Sequence, residues 1–201
     1  MSMPYEVIYC DQCQASWATF CVWGHFAYRL PNGDEVHVNR RLGWCTDCGS
    51  IRAIEELPSP EQLADEMSSA VRRHEDAQPK TLAERLFGVS RRTNLEHRTA
   101  AKQMRDANNL LKVLDLRTSG PRCLECGSTE NFALPWPPIT STFSGRKFDV
   151  PLGANHPECG GNLRVKDSGG TSVALIFRPR IYDCEGLSVV DTPSPARSIP
   201  E

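Results

Sequence analysis

No stretch of this chain approaches the run of about eighteen apolar residues that a membrane span needs. The start, Met1-Ser2-Met3-Pro4-Tyr5-Glu6, has neither a basic n-region nor an apolar core, so no signal peptide is expected and the expected location is cytoplasmic. An excess of one charge sign is also missing: the formal net charge is -2, which excludes a strongly basic, globally nucleic-acid-coating protein. By segment, residues 1–57 carry seven acids against four Lys/Arg, residues 58–120 nine against eleven, and residues 121–201 nine against eight. Any basic footprint must therefore be local. No nucleophile-plus-base arrangement, phosphate loop or catalytic carboxylate pair stands out, and an enzyme with an unrecognised site is the last-ranked reading.

What the chain does hold is cysteine, nine in 201 residues, with hydrophobic content of only 39%. In a reducing compartment these thiols stay unpaired, and metal binding explains them better than a disulfide framework. They fall in a repeated pattern. Cys10-Asp11-Gln12-Cys13 is followed, about thirty residues on, by Cys45-Thr46-Asp47-Cys48-Gly49. Cys123-Leu124-Glu125-Cys126-Gly127 is followed, at about the same interval, by His156-Pro157-Glu158-Cys159-Gly160. Two residues between ligands let one tight turn aim both side chains at a single ion, and a following glycine suits the backbone reversal. Two such turns supply the four thiolate or imidazole ligands that tetrahedral zinc prefers.

On these knuckles and the hairpins between them, residues 1–57 and 121–186 each resemble a zinc ribbon. The resemblance implies two zinc ions, one held by Cys10, Cys13, Cys45 and Cys48, the other by Cys123, Cys126, His156 and Cys159. Cys184 is an alternative to His156, and iron is an alternative to zinc at the first site. Cys21, inside Phe20-Cys21-Val22-Trp23, reads as a small core residue; His25 and His37 read as surface or strand histidines. The His156-Pro157-Glu158 run has its C-x-x-C on the wrong side for a zinc deaminase.

The expected fold is α+β: an N-terminal ribbon (1–57), a helical segment (58–120), a C-terminal ribbon (121–186) and a disordered tail (187–201). Tyr5–Tyr9 and Trp17–Trp23 have strand composition. Phe26–Leu30 and Glu35–Asn39 flank a turn at Asn32-Gly33, and Asn162–Lys166 and Thr171–Phe177 flank another at Asp167-Ser168-Gly169-Gly170. Ser59, Thr81 and Thr93 each head a capping-box pattern with Gln62, Glu84 and Glu96. The first helix should bury Leu63, Met67, Ala70 and Val71. The last should carry an apolar seam of His97, Ala100, Met104, Ala107, Leu111 and Leu114, suited to a hairpin or to a homodimer or adaptor contact.

Thr81–Thr93 resembles a bacterial helix-turn-helix, with Ala83, a Gly88-Val89-Ser90 turn and a basic start to the next helix. It departs from that pattern by one extra residue between Ala83 and Gly88, a rotation of roughly 100°. The resemblance implies that Arg91 and Arg92, with Asn94 as a further candidate, meet the major groove or phosphates of DNA. Arg98, Lys102, Arg105 and Lys112 form a basic stripe opposite the seam that could neutralise phosphates, although a solvated face is the plainer explanation. The function expected from the sequence is thus a non-enzymatic zinc-binding protein that engages DNA or RNA.

Overall fold

The computed structural model describes residues 2–78, 91–135, 148–174 and 178–189. It is mixed α+β. Chain order is β1 (Ser2–Cys10), β2 (Ser16–Ala18), a 3-10 turn (Thr19–Val22), β3 (Phe26–Arg29), β4 (Glu35–His37), β5 (Arg40–Cys45) and β6 (Ser50–Glu55), then α1 (Pro60–Asp76) and α2 (Arg91–Leu116). The remaining strands are β7 (Asn131–Ala133), β8 (Asp149–Asn155), β9 (Asn162–Ala174) and β10 (Arg180–Tyr182). They form three sheets, ordered β2-β1-β9-β8, β10-β3-β4 and β6-β5-β7. Every sheet joins strands from before and after the helices.

The first sheet follows from alternation along β1. Glu6, Ile8 and Cys10 point inward and are buried, while Tyr5, Val7 and Tyr9 are only half-buried. In β9, Leu163 and Val165 meet Ile8 in a core cluster that also holds Leu42, Trp44, Ile51 and Leu152. A one-residue slip would turn those side chains to solvent, so burial fixes the register. Here the turn expected at Asp167–Gly170 is overruled. β9 continues to Ala174 along β1, and Ser168–Thr171 stand opposite Tyr5 alone, between the pairs Glu6↔Asp167 and Pro4↔Ser172. The glycines accommodate a register break instead of a hairpin.

Trp17–Trp23 is likewise a strand only to Ala18. The buried Thr19 hydroxyl donates to the Glu6 carbonyl at 3.0 Å and accepts from its N–H at 3.3 Å, ending the strand against β1. The Asn32-Gly33 turn forms as expected, with Gly33 at φ +85 between β3 and β4. Gly43, in the central strand β5, has no room for a side chain. A Cβ there would lie 2.5 Å from Ile54 Cγ1 and 2.6 Å from the Phe132 carbonyl oxygen.

Ser59 caps α1 as read from the sequence. Its hydroxyl accepts from the Gln62 N–H at 3.2 Å, and the Gln62 side chain accepts from the Ser59 N–H at 2.8 Å. Thr93 lies within α2, which already includes Arg91, and not at its start. Thr81–Ser90, and the side chains of Arg91 and Arg92, lie outside the described residues, and with them most of the helix-turn-helix resemblance. Leu63 and Ala70 of α1 are buried against α2, whose inward face is Ala100, Ala107, Leu110 and Val113. Met104, Leu111 and Leu114 stand at its half-buried border. Ala100 and Ala107 of the expected seam are thus packed within the chain.

A buried polar knot locks the end of α2 to β6 and β3. Glu55 accepts from Arg117 through both guanidinium nitrogens, from the Tyr28 hydroxyl at 2.9 Å and from the Arg122 N–H at 2.7 Å. Burial and the neighbouring Glu55 carboxylate push the Tyr28 phenol far up, so it stays protonated and donates. Leu187–Val189, assigned to the tail from sequence, are part of this structure: Val189 N–H donates to the Ile181 carbonyl at 2.8 Å, and Ser188 bridges Tyr182. Residues 190–201 lie outside the described residues.

Candidate metal centres

Strand pairing decides which knuckles meet. β1 ends at Cys10, and its partner β9 begins at Asn162, just past Cys159; Cys10 stands opposite Leu163. β5 ends at Cys45, opposite Asn131 of β7, and Ile54 of β6 bridges Cys123. The result is two clusters, Cys10, Cys13, His156 and Cys159, and Cys45, Cys48, Cys123 and Cys126, each with its ligand atoms within 4.8 Å of one another. This corrects the partnership expected from the ribbon resemblance, which joined Cys10/Cys13 to Cys45/Cys48 and Cys123/Cys126 to His156/Cys159. The first knuckle meets the fourth and the second meets the third, so the sites are nested along the chain.

In the outer cluster the His156 Nδ1 stands 3.0 Å from Cys159 Sγ and 3.3 Å from Cys13 Sγ, and Cys10 Sγ lies 3.4 Å from Cys159 Sγ. In the inner cluster the Cys45 and Cys126 sulfurs are 3.5 Å apart. No disulfide joins any of the nine cysteines. Zinc–sulfur bonds of about 2.3 Å imply tetrahedral edges of about 3.8 Å, shorter where nitrogen replaces sulfur. Both donor sets fit a tetrahedral ion with a small adjustment, the inner through four sulfurs and the outer through three and an imidazole.

Local hydrogen bonds show how each knuckle is built. Gly49 N–H donates to Thr46, Gly127 N–H to Cys123 and Gly160 N–H to His156, closing the turns with φ of +53, +77 and +77 at those glycines. The first knuckle has Gln14 at the same place, held at φ +61 with its side-chain amide donating to the Asp11 carbonyl at 2.9 Å. Asp11 then clamps the outer site. Its carboxylate accepts from the Asn162 N–H at 2.8 Å and side-chain amide at 2.9 Å, and its N–H donates to the Asn162 carbonyl at 3.1 Å. Gly161 lies against this clamp; a Cβ there would approach Cys10 Sγ and Gln12 Cβ to 2.6 Å each.

The thiols are not equivalent. Burial opposes ionisation of Cys10, but the N–H groups of Cys13 and Gln12 and the Cys159 sulfur outweigh it and hold its pKa below the ordinary value. Cys126 behaves alike, with burial overcome by the Ser128 N–H and the neighbouring sulfurs. Burial pushes Cys123 up, and burial with the adjacent Cys126 and Cys45 sulfurs pushes Cys48 up to about 11. One thiol in each cluster is thus eased toward ionisation, and a bound cation would favour the charged form of a ligating thiol.

The two centres touch through Trp44. It precedes Cys45 of the inner site, and its ring lies 5.0 Å from the His156 imidazole of the outer one. Trp17 stands 5.2 Å from the same imidazole and 5.6 Å, edge to face, from Trp44. His156 is only 3% exposed, and its Nε2 is buried without a hydrogen-bond partner, with Glu158 3.9 Å away. The indoles hold the ring so that Nδ1 faces the sulfurs.

Cys184 takes no part. Its sulfur packs at the edge of the helical core, near the Arg29 carbonyl, and burial pushes its pKa up. Cys21 is a core residue as expected, pushed up to about 11 by burial. Arg40 lies 3.2 Å from the His37 ring and Glu35 lies 3.9 Å from His25; neither histidine belongs to a cluster. Arg98, Lys102, Arg105 and Lys112 all stand exposed on α2. The stripe is not free of acid, however, because Asp106 pairs with Lys102 at 2.5 Å. The Asp11–Asn162 clamp, the indole pair and the positive φ of Gln14 escaped the sequence reading. Only the last had a signal: Gln14 stands where the other knuckles have glycine. No helix among the described residues is long and apolar enough to cross a membrane. No protein-family model, curated protein or solved structure matches this chain.

Proposed function

We propose that this chain is a non-enzymatic binding module in which two structural zinc ions fasten strands from opposite ends of the sequence and hold α2 in place to engage nucleic acid. The observation that carries the reading is that both clusters supply four protein ligands. Catalytic zinc normally has three and keeps a position open for water. Structural sites instead contribute to folding, on the order of 10–16 kcal/mol in small zinc peptides, comparable to the net stability of a whole domain. The cations of the α2 stripe offer one surface to phosphates, with Lys102 weakened by Asp106.

Native mass spectrometry of the purified chain should show two zinc ions, and chelation should unfold it. A gel-shift titration at low salt with duplex and single-stranded oligonucleotides should show binding that weakens steeply as salt rises. Reversing Arg98, Lys102 and Arg105 to Glu together should reduce duplex affinity by roughly tenfold or more. Absence of binding to any DNA or RNA would remove the nucleic-acid reading and leave the zinc reading standing.

A further inference from the structure

The face of the β2-β1-β9-β8 sheet turned away from the core has aromatic and cationic side chains set side by side. β1 places Tyr5, Val7 and Tyr9 there, half-buried, while its alternate residues enter the core. β9 places Arg164 and Lys166 on the same face. Tyr9 pairs with Arg164 and Val7 with Lys166 across the ladder. β8 adds the exposed Asp149 and Pro151, opposite Lys166 and Arg164. Both described helices belong to the other core cluster, around Phe26 and Val36, and not to this sheet.

The groups on this face are oriented, not loosely solvated. The Tyr9 hydroxyl donates to Asp149 Oδ2 at 2.8 Å, and Arg164 Nε donates to Asp149 Oδ1 at 2.8 Å and to the Tyr9 oxygen at 3.1 Å. The Lys166 ammonium lies over the Tyr9 ring, 4.5 Å from its centroid. Tyr5 stands edge-on to Phe20, with ring centroids 5.5 Å apart. Asp149 offsets one of the two cations and leaves the patch with a net positive charge.

We propose that this sheet face binds single-stranded nucleic acid, with bases stacking on Tyr9 and Tyr5 and an adjoining phosphate meeting Lys166. The proposal rests on the nucleic-acid reading above but places the contact on the sheet and names the strandedness. Rings standing on a strand two pleats apart can take bases only if those bases are unstacked from a duplex. A base stacking on the face that Lys166 covers displaces its ammonium toward the adjoining phosphate, and sequence tolerance follows because every base has a π-face.

The test is fluorescence anisotropy of the zinc-loaded full chain with labelled 12-mers of dT and U, and with a duplex of equal length, at low salt. The single strands should bind more tightly than the duplex. Y9L, which keeps an apolar side chain and removes the ring, should weaken single-strand binding by about fivefold or more, the scale of one base stacked on an aromatic ring. K166E, at an exposed position, should weaken it comparably and flatten its salt dependence. K166E serves by itself should Y9L lose zinc or its folded circular-dichroism spectrum. Single-strand affinity unchanged by K166E overturns the sheet-face inference and spares the broader reading. Binding of the duplex alone also overturns it, and binding of no nucleic acid overturns both.

Discussion

Nesting of the two metal centres makes a prediction that sequence-adjacent pairing does not. Consider serine replacements of Cys45 and Cys126, singly and together. Both side chains belong to the inner cluster, their sulfurs 3.5 Å apart. Each single variant should lose the inner zinc, and the double variant should lose no more, retaining one ion in the outer cluster. Pairing of neighbouring knuckles would instead give two damaged centres in the double variant. A C13S/C45S variant should show the opposite pattern: it breaks both nested centres, whereas neighbour pairing would lose only one.

The outer site should also weaken when the inner one is lost. With the inner site closed, the free chain between outer knuckles is two pieces of about thirty residues each; with it open, one loop of about 140 residues must be closed. Closure entropy of (3/2)RT ln n then costs about 0.8 kcal/mol more, or about fourfold in zinc affinity. Native mass spectrometry counts the ions, and cobalt substitution distinguishes a four-sulfur centre from one with nitrogen by its absorption spectrum. A folded C45S/C126S protein carrying no metal, beside single variants that each keep one ion, would refute the nested assignment.

Three further outcomes follow from the geometry. Q14G should stabilise the chain by about 0.5 kcal/mol, since a non-glycine residue at φ +61 carries a cost on the order of 1 kcal/mol, partly offset by the lost amide bond to Asp11; the urea midpoint measures it. G186A should cost more than G33A: Gly186 has φ +77 and a Cβ there would collide with the Glu55 carboxylate and the Arg117 guanidinium, whereas Gly33, at φ +85, faces open space. The strain alone is worth about 1 kcal/mol at either position, so equal losses in the two variants under urea denaturation would contradict this account. R117M should cost about 3–5 kcal/mol by leaving Glu55 buried and charged, and that loss should shrink in the R117M/E55Q double variant under thermal melting.

The knuckles, the first helix cap and the Asn32-Gly33 hairpin were legible in sequence because each is local: a few residues fix the turn and its hydrogen bonds. Partner choice between knuckles was not. Similar short separations made neighbours look natural, yet lengthening a loop from about thirty residues to the roughly 75 between Cys48 and Cys123 costs only about 0.8 kcal/mol. Burial of Ile8, Leu163 and Val165 in one register outweighs that difference several times over, and it brings β1 to β9. The same burial carries β9 through Asp167–Gly170, where local turn chemistry alone suggested a hairpin. The α2 seam was misassigned by a small rotation: Leu110 and Val113, omitted from it, are buried by α1 and the strands, which the helix's own periodicity could not reveal.

Nesting also sets a timetable. As the polypeptide leaves the ribosome, Cys10, Cys13, Cys45 and Cys48 emerge first and have no completing ligands until the knuckle at Cys123 and Cys126 follows; the last pair arrives with His156 and Cys159. Four thiols are therefore made well before the ligands that complete their clusters. The inner set is complete once Cys126 is made and the outer only with Cys159, and a fragment ending before Cys123 carries half of each set.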